Sequence, residues 1–423
     1  MNYTQASTAR EDTERLPAGL VDAETGIISR VACDGADGTP MGLPVCAVAA
    51  LRRSGIGEVG FGKGLTPADA TTGAIGEALE IYAGSSYCVA DFPHEPLVRL
   101  GGSALDPKLL CLYEDSYYAR GGFPYVRFDQ ERSIHWTAGK WLDTDEAVWL
   151  PALTVYHYFP APREERFCQI TSNGSAAGTS VDDATFRAVL ELVERDAFML
   201  TWYGRAPATR IILDECVDAG LTAILDRIQS LGGRIRIYRL NAGVDIPTVL
   251  CCARGDGRNW PGATLGLGTH PNPRIAITKA ILEMGQTAYS LRRSMLIGQE
   301  SIPAAPGDVR TFRQHALFYL PAARAAALDF LDANEDAIRL SELPDPGEFP
   351  LSALVQAVTN AGARLAIVDL TTPDLRAMHF AVVRAIGTNL QQIHCGFGLE
   401  RTNNPRLRKY LRGSINTGIP PVC

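Results

Sequence analysis

The sequence predicts an α/β protein, and two observations carry that reading. Short apolar runs rich in β-branched residues alternate along the chain with longer amphipathic segments. Three of those segments also share one spaced pattern of alanines and acids. A chain of 423 residues is too long for one small core, so two or three lobes or one large α/β domain are expected.

Residues 1–25 read as an irregular arm, 26–410 as the main domain and 411–423 as a tail. "GIISRV" and "LPVCAVAAL" read as strands. A helix spans 66–84, where Thr66 can cap it, Pro67 suits its first turn and Gly84 follows its end. Residues 85–165 are richer in turns and aromatics, with short strands such as "AVWLPALTVYHYF". A second helix runs from about Ser180 to Gly204, and another covers 218–231. "IRIYRLN" and "PTVLCCARG" follow as strands, and a further helix comes after "ATLGLGTHPNP". Residues 304–345, Pro- and Ala-rich and then acidic, read as an insertion. "RLAIVDL" and "HFAVVRAIG" are strands separated by a short helix or turn, and the end of the chain is basic, then Gly- and Pro-rich.

The repeat appears when 66–81 is laid over 180–195. Asp69, Ala70, Thr71, Ala74, Glu77 and Glu80 fall on Asp183, Ala184, Thr185, Ala188, Glu191 and Glu194. The helix of 273–286 follows the same frame with Ala276, Ala280, Glu283 and Gln286. The shared form, A-x3-A-x2-E-x2-[E/Q], puts alanines and acids along one helix face. Alanines allow a neighbour to approach closely, and the acids then project past that contact. One such helix alone reads equally well as an amphipathic helix with solvated glutamates. Three in one frame, with acids on the face that should be buried, point elsewhere. Buried carboxylates cannot stay ionised and unpaired, and a hard cation resolves the conflict. Mg²⁺ takes a few carboxylates, keeps waters and normally shares a phosphate, so the pattern suggests a Mg²⁺–nucleotide site.

Other classes are disfavoured. A net charge of −7 argues against bulk binding to nucleic acid. No apolar run approaches the roughly 18 residues that cross a membrane, and the N-terminal residues lack a secretory apolar stretch, so a cytoplasmic protein is expected. The ten cysteines form no CxxC, and most read as reduced core thiols. The seven histidines show no zinc-ligand spacing with them. "GEVGFGKG" continues with Gly64 where a phosphate loop needs Ser or Thr; it reads as a glycine loop entering the helix, with Lys63 able to approach a phosphate. "GLGLGTHPNP" holds no G-x-G-x-x-G, so dinucleotide binding is not expected. His270 reads as structural or as a proton shuttle. Asp196 could orient Arg195 or bind across to the next strand, and Trp202 and Tyr203 read as core or rim aromatics.

"TSNGSAAGTSVDDATFRAVLELVERDAF" (171–198) resembles the signature of the YcaO family: Ser-Asn-Gly-x-Ala-Ala-Gly, then a helix ending Glu-x-x-Glu-Arg-Asp. "GFGKGLTPADA…GEALEIYAG" is similar to that family's first acidic helix and "LGLGTHPNPRIAITKAILEMGQ" to its third. "VVRAIGTNLQQIHCGF" and "NNPRL" resemble its C-terminal strand and following turn, so the likeness runs from about 25 to 410. The resemblance implies a YcaO-like fold of mixed sheets, with helices carrying convergent glutamates around an ATP site. It implies that ATP activates a backbone amide oxygen of a peptide, with the nucleotide held by acids through Mg²⁺. Glu77, Glu80, Glu191 and Glu194 are the implied Mg²⁺ ligands, and Arg195 the implied phosphate contact. Thr179, Asp183 and Arg187 take positions near the nucleotide on the second helix, and Lys279, Glu283 and Gln286 on the third. Lys279 stands where an arginine is common, Gly73 where a serine is, and Ile81 where an arginine is.

The implied reaction modifies a ribosomally made precursor peptide. In the azoline branch a Cys, Ser or Thr side chain attacks the preceding amide carbonyl, the oxyanion takes the γ-phosphoryl group, and phosphate leaves behind a thiazoline or oxazoline. His270 and the carboxylate of Cys423 are candidate bases. Azoline-forming members commonly end in a Pro-x-Pro-x-Pro tail that reaches the active site; this chain ends "TGIPPVC". Azoline formation is the leading expectation. Thioamide formation with a sulfur-delivering partner, amidine formation and a non-catalytic scaffold are the alternatives. A separate leader-peptide-binding domain is not expected ahead of the core, a partner protein is expected to supply substrate recognition, and a homodimer is compatible with the sequence.

Overall fold

The computed structural model describes residues 16, 17, 19–34, 43–52, 59–215, 217–298, 300–333 and 335–421. Among these, fourteen strands form three sheets, a mixed α/β architecture. The first sheet is an antiparallel meander of β1 (Ile28–Asp34), β2 (Val45–Leu51) and β3 (Val59–Gly64). β2 alternates buried and half-buried residues, as a strand with one covered face should. Helix α1 (Pro67–Gly84) covers that face. Thr66 caps it by accepting from the Asp69 amide.

The central sheet is built from β4 (His94–Pro96), β5 (Ser133–Trp141), β6 (Ala147–Pro151) and β7 (Ser175–Gly178), with two strands from much later in the chain. "AVWLPALTVYHYF" is therefore a strand only as far as Pro151; a helical turn, Ala152–Val155, follows. Proline has no N–H to continue a ladder, so the strand stops there.

Helix α2 (Val181–Gly204) follows β7, with Ser180 as its cap. The second large sheet holds β8 (Thr209–Ile212), β9 (Arg234–Arg239), β10 (Thr248–Arg254), β11 (Ala263–Thr269) and β12 (Ala337–Arg339), in the order β11-β10-β9-β8-β12. Helix α3 (Ala219–Ser230) and the long helix α4 (Pro273–Ile297) pack on it. Residues 304–345 supply β12, which pairs parallel with β8, and bury Leu328, Leu331 and Leu340. Helix α5 (Leu351–Asn360) then leads to β13 (Leu365–Asp369) and β14 (Ala381–Gly387), completing the central order β4-β5-β13-β14-β7 with β6 on β5. The other pairings are antiparallel among the named strands.

The three alanine-faced helices are seated on glycines. A Cβ at Gly62 of β3 would lie 1.8 Å from the Ala70 carbonyl oxygen. A Cβ at Gly268 of β11 would lie 2.1 Å from the Ala276 carbonyl oxygen. At Gly178 the nearest atom would be the Ala184 amide nitrogen, at 2.6 Å. Helix and strand backbones thus touch almost directly, which explains both the alanines and the G-x-G runs. Of residues 1–25, Leu20 is fully buried and Val21 bridges to Ile28. At the other end the tail enters the core, with Ile419, Pro420 and Pro421 all buried.

No helix among the described residues is long and apolar enough to cross a membrane. Cys111, Cys168, Cys251 and Cys252 are buried free thiols, Cys33, Cys46 and Cys395 are half-buried and Cys88 is exposed; Cys216 and Cys423 lie outside the described residues.

Candidate active site

The helix frame brings its acids together. Glu77 and Glu80 come from α1, Glu191 and Glu194 from α2, and Glu283 from α4. Each first-position acid reaches back to a backbone amide of the neighbouring strand or loop. Phe61 N–H donates to Glu77 at 2.8 Å, Gly174 N–H to Glu191 at 3.0 Å and Leu267 N–H to Glu283 at 3.4 Å. The Ala177 amide donates to Glu80 at 2.9 Å. One contact type recurring at three equivalent places is the structural counterpart of the sequence repeat.

The electrostatics show how close the acids are. Burial pushes Glu80 well above the usual carboxylate range, and the Glu191 and Glu77 charges push it further. Burial also raises Glu77, with Glu191 and Glu283 adding to the effect against the Phe61 amide and Lys63. Glu191 and Glu194 are raised by burial despite the opposing charge of Arg195. Burial would raise Glu283 as well, but Lys63 and Arg195 outweigh it and hold it below its ordinary value. Lys63 Nζ lies 2.8 Å from Glu283, and Arg195 lies 4.0 Å from Glu191 and 3.9 Å from Glu194. The cluster keeps a window to solvent, since the Glu191 and Glu283 side chains are 28% and 23% exposed.

The other expected residues spread along the rim. Asp183 accepts from the Thr179 amide at 3.1 Å and from Arg187 at 2.9 Å, on an exposed first turn of α2. Lys279 is exposed and Gln286 half-buried on α4. His270 is half-buried, held below its ordinary pKa by burial and by Lys279, and its Nδ1 accepts from the Asn272 amide at 3.0 Å. With Nδ1 so occupied, the neutral ring carries its proton on Nε2 and presents a donor there. Asp196 accepts from Arg406 at 2.8 Å and from the Gln391 amide at 2.7 Å, tying α2 to the C-terminal segment and not to the strand that follows the helix. Trp202 and Tyr203 are core residues, 1% and 0% exposed. Cys423 lies outside the described residues. The tail leading to it comes beside the acids at Pro421, which lines one small pocket with Arg195, Phe198, Leu267 and Glu283.

A family model described as YcaO cyclodehydratase, ATP- and Mg²⁺-binding, matches residues 61–391. The chain belongs to the YcaO family. A YcaO structure from Methanopyrus kandleri bound with AMPPCP and Mg²⁺ is 22% identical, with a TM-score of 0.63 over 86% of each chain. A heterocyclase in complex with substrate and cofactor, also 22% identical, has a TM-score of 0.79 over 98% of this chain and 57% of its own. The E. coli microcin synthetase McbBCD complex with pro-MccB17 bound is 15% identical, with a TM-score of 0.66 over 93% and 96%. In sequence, an uncharacterized protein of Methanothermobacter thermautotrophicus is 27% identical over 58% of this chain and 62% of its own length. An uncharacterized protein in the tfuA 3′ region of Rhizobium leguminosarum bv. trifolii is 30% identical over 37% and 39%. The chain thus matches less than two thirds of the length of these curated relatives.

The YcaO family binds ATP and Mg²⁺, and the residues present fit that pair. The donor set is all carboxylate oxygen, as a hard cation requires. Four of its members are pushed up by burial and by one another, a cost that a divalent cation removes. Nearby, the buried Nδ2 of Asn173, beside the Glu191-bound Gly174, has no hydrogen-bond partner among the described residues.

The sequence reading missed Arg384. It lies on β14, 3% exposed, and feels the charges of Glu191 and Glu80. Burial lowers its pKa to about 10, against the opposing pull of those two acids. It donates to the carbonyls of Thr154 and Thr171 and to Ser175. A lone arginine in the apolar run "VVRAIG" was the only signal.

Proposed function

We propose that this chain is an ATP-dependent enzyme that activates a backbone amide of a ribosomally made precursor peptide, forming thiazoline or oxazoline from Cys, Ser or Thr. The observation that carries the reading is the convergence of Glu77, Glu80, Glu191, Glu194 and Glu283 from three helices, with Arg195 and Lys63 among them.

Glu77, Glu80, Glu191 and Glu194 would hold Mg²⁺, which offsets charge on the phosphates of ATP when bound. Arg195, already between two acids, turns its guanidinium to the transferring phosphate and stabilises charge there. Lys63 and Glu283 work as a pair: Glu283 holds the ammonium until phosphate competes for it. Thr179 just ahead of α2, Asp183 and Arg187 on it, and Lys279 and Gln286 on α4 line the nucleotide's approach. Arg384 stays behind the acids as a fixed positive charge. His270 with a proton on Nε2 donates to an oxyanion; to act as a base it would first release the Asn272 amide. The tail, with Pro421 beside Arg195 and Glu283, shapes the peptide side of the site.

Ring formation is favoured over thioamide or amidine formation by the tail's position and by two structural relatives, one a heterocyclase and one a microcin synthetase. The McbBCD relative is a complex of several proteins, which supports a separate leader-binding partner. The test is mass spectrometry of a candidate precursor incubated with this protein, its genomic neighbours and ATP. Loss of water means azoline or amidine formation, and fragmentation that places the loss at a Cys, Ser or Thr side chain supports the azoline reading. Exchange of oxygen for sulfur overturns it in favour of a thioamide. A well-folded protein that binds no Mg²⁺–ATP in a calorimetric titration would make the chain a scaffold.

A further inference from the structure

We infer that His94, His135 and Glu165 form a second metal site, for a divalent transition cation such as Zn²⁺, apart from the acidic cluster. The three come from distant parts of the chain. His94 on β4 and His135 on β5 are directly paired across the two strands, so their rings share one face. The rings stack with centroids 4.4 Å apart. Glu165 ends a short 3-10 turn, Arg163–Glu165, that folds over the same face.

The donor atoms already meet. His94 Nε2 lies 3.0 Å from one Glu165 oxygen and His135 Nδ1 2.9 Å from the other, with the three ligand atoms all within 4.8 Å of one another. In a tetrahedral site with bonds of about 2.0–2.1 Å, ligand atoms stand about 3.3 Å apart. Small ring rotations therefore bring all three onto one ion. Two imidazoles and a carboxylate suit Zn²⁺, or a similar borderline cation, better than the all-oxygen cluster at the nucleotide site does.

Burial is graded as such a site needs. Glu165 is 5% exposed and His135 18%, while His94 is 49% exposed, which leaves an entry path and room for a water ligand. The Glu165 oxygen facing His135 also accepts from the His135 amide at 3.3 Å, which fixes the carboxylate. Each ring meets its own Glu165 oxygen, His94 through Nε2 and His135 through Nδ1, so a cation would take the place of a hydrogen on each ring nitrogen. One divalent ion satisfies all three groups at once. The ion would clamp the β4–β5 pair to the 163–165 turn, a structural role rather than a catalytic one. Separations of 41 and 30 residues hide the set from any sequence spacing rule, since only strand pairing and the turn unite it.

The test uses the full chain, stripped with a chelator and kept in millimolar Mg²⁺ to fill the acidic cluster. Zn²⁺ is then titrated into the wild type, His94→Ala and Glu165→Gln. The expected result is one tight equivalent in the wild type, weakened at least 30-fold in each variant, and a Zn²⁺-dependent rise in melting temperature that both variants lose. Equal uptake and equal affinity in all three proteins would overturn the site. If a variant does not fold, Co²⁺ in the wild type decides. An intense visible band of a four- or five-coordinate nitrogen–oxygen site supports the assignment, and only the weak band of six-coordinate cobalt sinks it.

Discussion

At Glu191, burial pushes the carboxyl up while Arg195 and the Gly174 amide pull it back. Glu191→Gln keeps the shape and removes the charge. ATP turnover should fall at least about 100-fold, as for loss of one transition-state contact, while the melting temperature in the absence of Mg²⁺ holds or rises. A variant with full ATPase activity would refute its role as a metal ligand. His315 illustrates a different use of a polar side chain. It takes the Gly396 amide on Nε2 and so turns its Nδ1–H to the Pro420 carbonyl, 2.9 Å away, clasping the tail. The acids were legible because a helix repeats every 3.6 residues, so A-x3-A-x2-E-x2-E places its members on one face whatever they pack against. Arg384 and the His315 clasp were not, since their partners are carbonyls and amides far away in sequence, and backbone groups leave no trace in side-chain patterns.

At the scale of elements, the glycine seats set how closely α1, α2 and α4 approach their strands. Gly268→Ala would put a methyl group 2.1 Å from the Ala276 carbonyl oxygen and lift α4 off β11. Stability measured by urea unfolding should drop by about 3 kcal/mol, and ATP affinity should fall with it because Glu283 rides on that helix. Gly76, inside α1 with open space around its absent side chain, is the contrast. Gly76→Ala should stabilise by about 0.5–1 kcal/mol, because the backbone loses less freedom on folding. Helices and their caps were readable from Thr66, Ser180 and the periodicity. The end of the strand at Pro151 is hidden in "AVWLPALTVYHYF" because the run stays largely apolar and aromatic past it, and such a run does not reveal where a ladder stops. Sheet order was also hidden, since β7, β13 and β14 come together across α2 and the whole second sheet.

At the scale of the whole molecule, two predictions concern how the parts hold together. Ending the chain at Gly418 removes the buried Ile419 and takes Pro421 away from Arg195 and Glu283. Peptide modification should fall at least about tenfold with a modest loss in melting temperature; an unchanged rate would mean the tail is only packing. The second concerns acid. Burial lowers His157 to about 4 and His394 to about 3, from 6.5, and lowers His315 too. The unfolded chain therefore binds more protons than the native one below pH 6.5. The stability these rings contribute is fully present above pH 6.5 and is lost as pH falls toward 4. His157 alone accounts for up to about 3 kcal/mol over that span. The raised glutamates of the acidic cluster act in the opposite direction, so the histidine effect is read as the gap in denaturant midpoint between wild type and His157→Gln: it should shrink from pH 7.5 through 5.5 to 4.5, and a constant gap would show the ring is not held neutral.

The glycine seats carry a last consequence, for how such a protein can change over generations. Because helix and strand meet backbone to backbone there, the spacing of the acids does not depend on the size of the side chains that fill the rest of the core. Mutations elsewhere can accumulate and compensate one another while the three helices keep their register. A fold overlap of TM-score 0.79 at 22% identity is what that tolerance would leave behind.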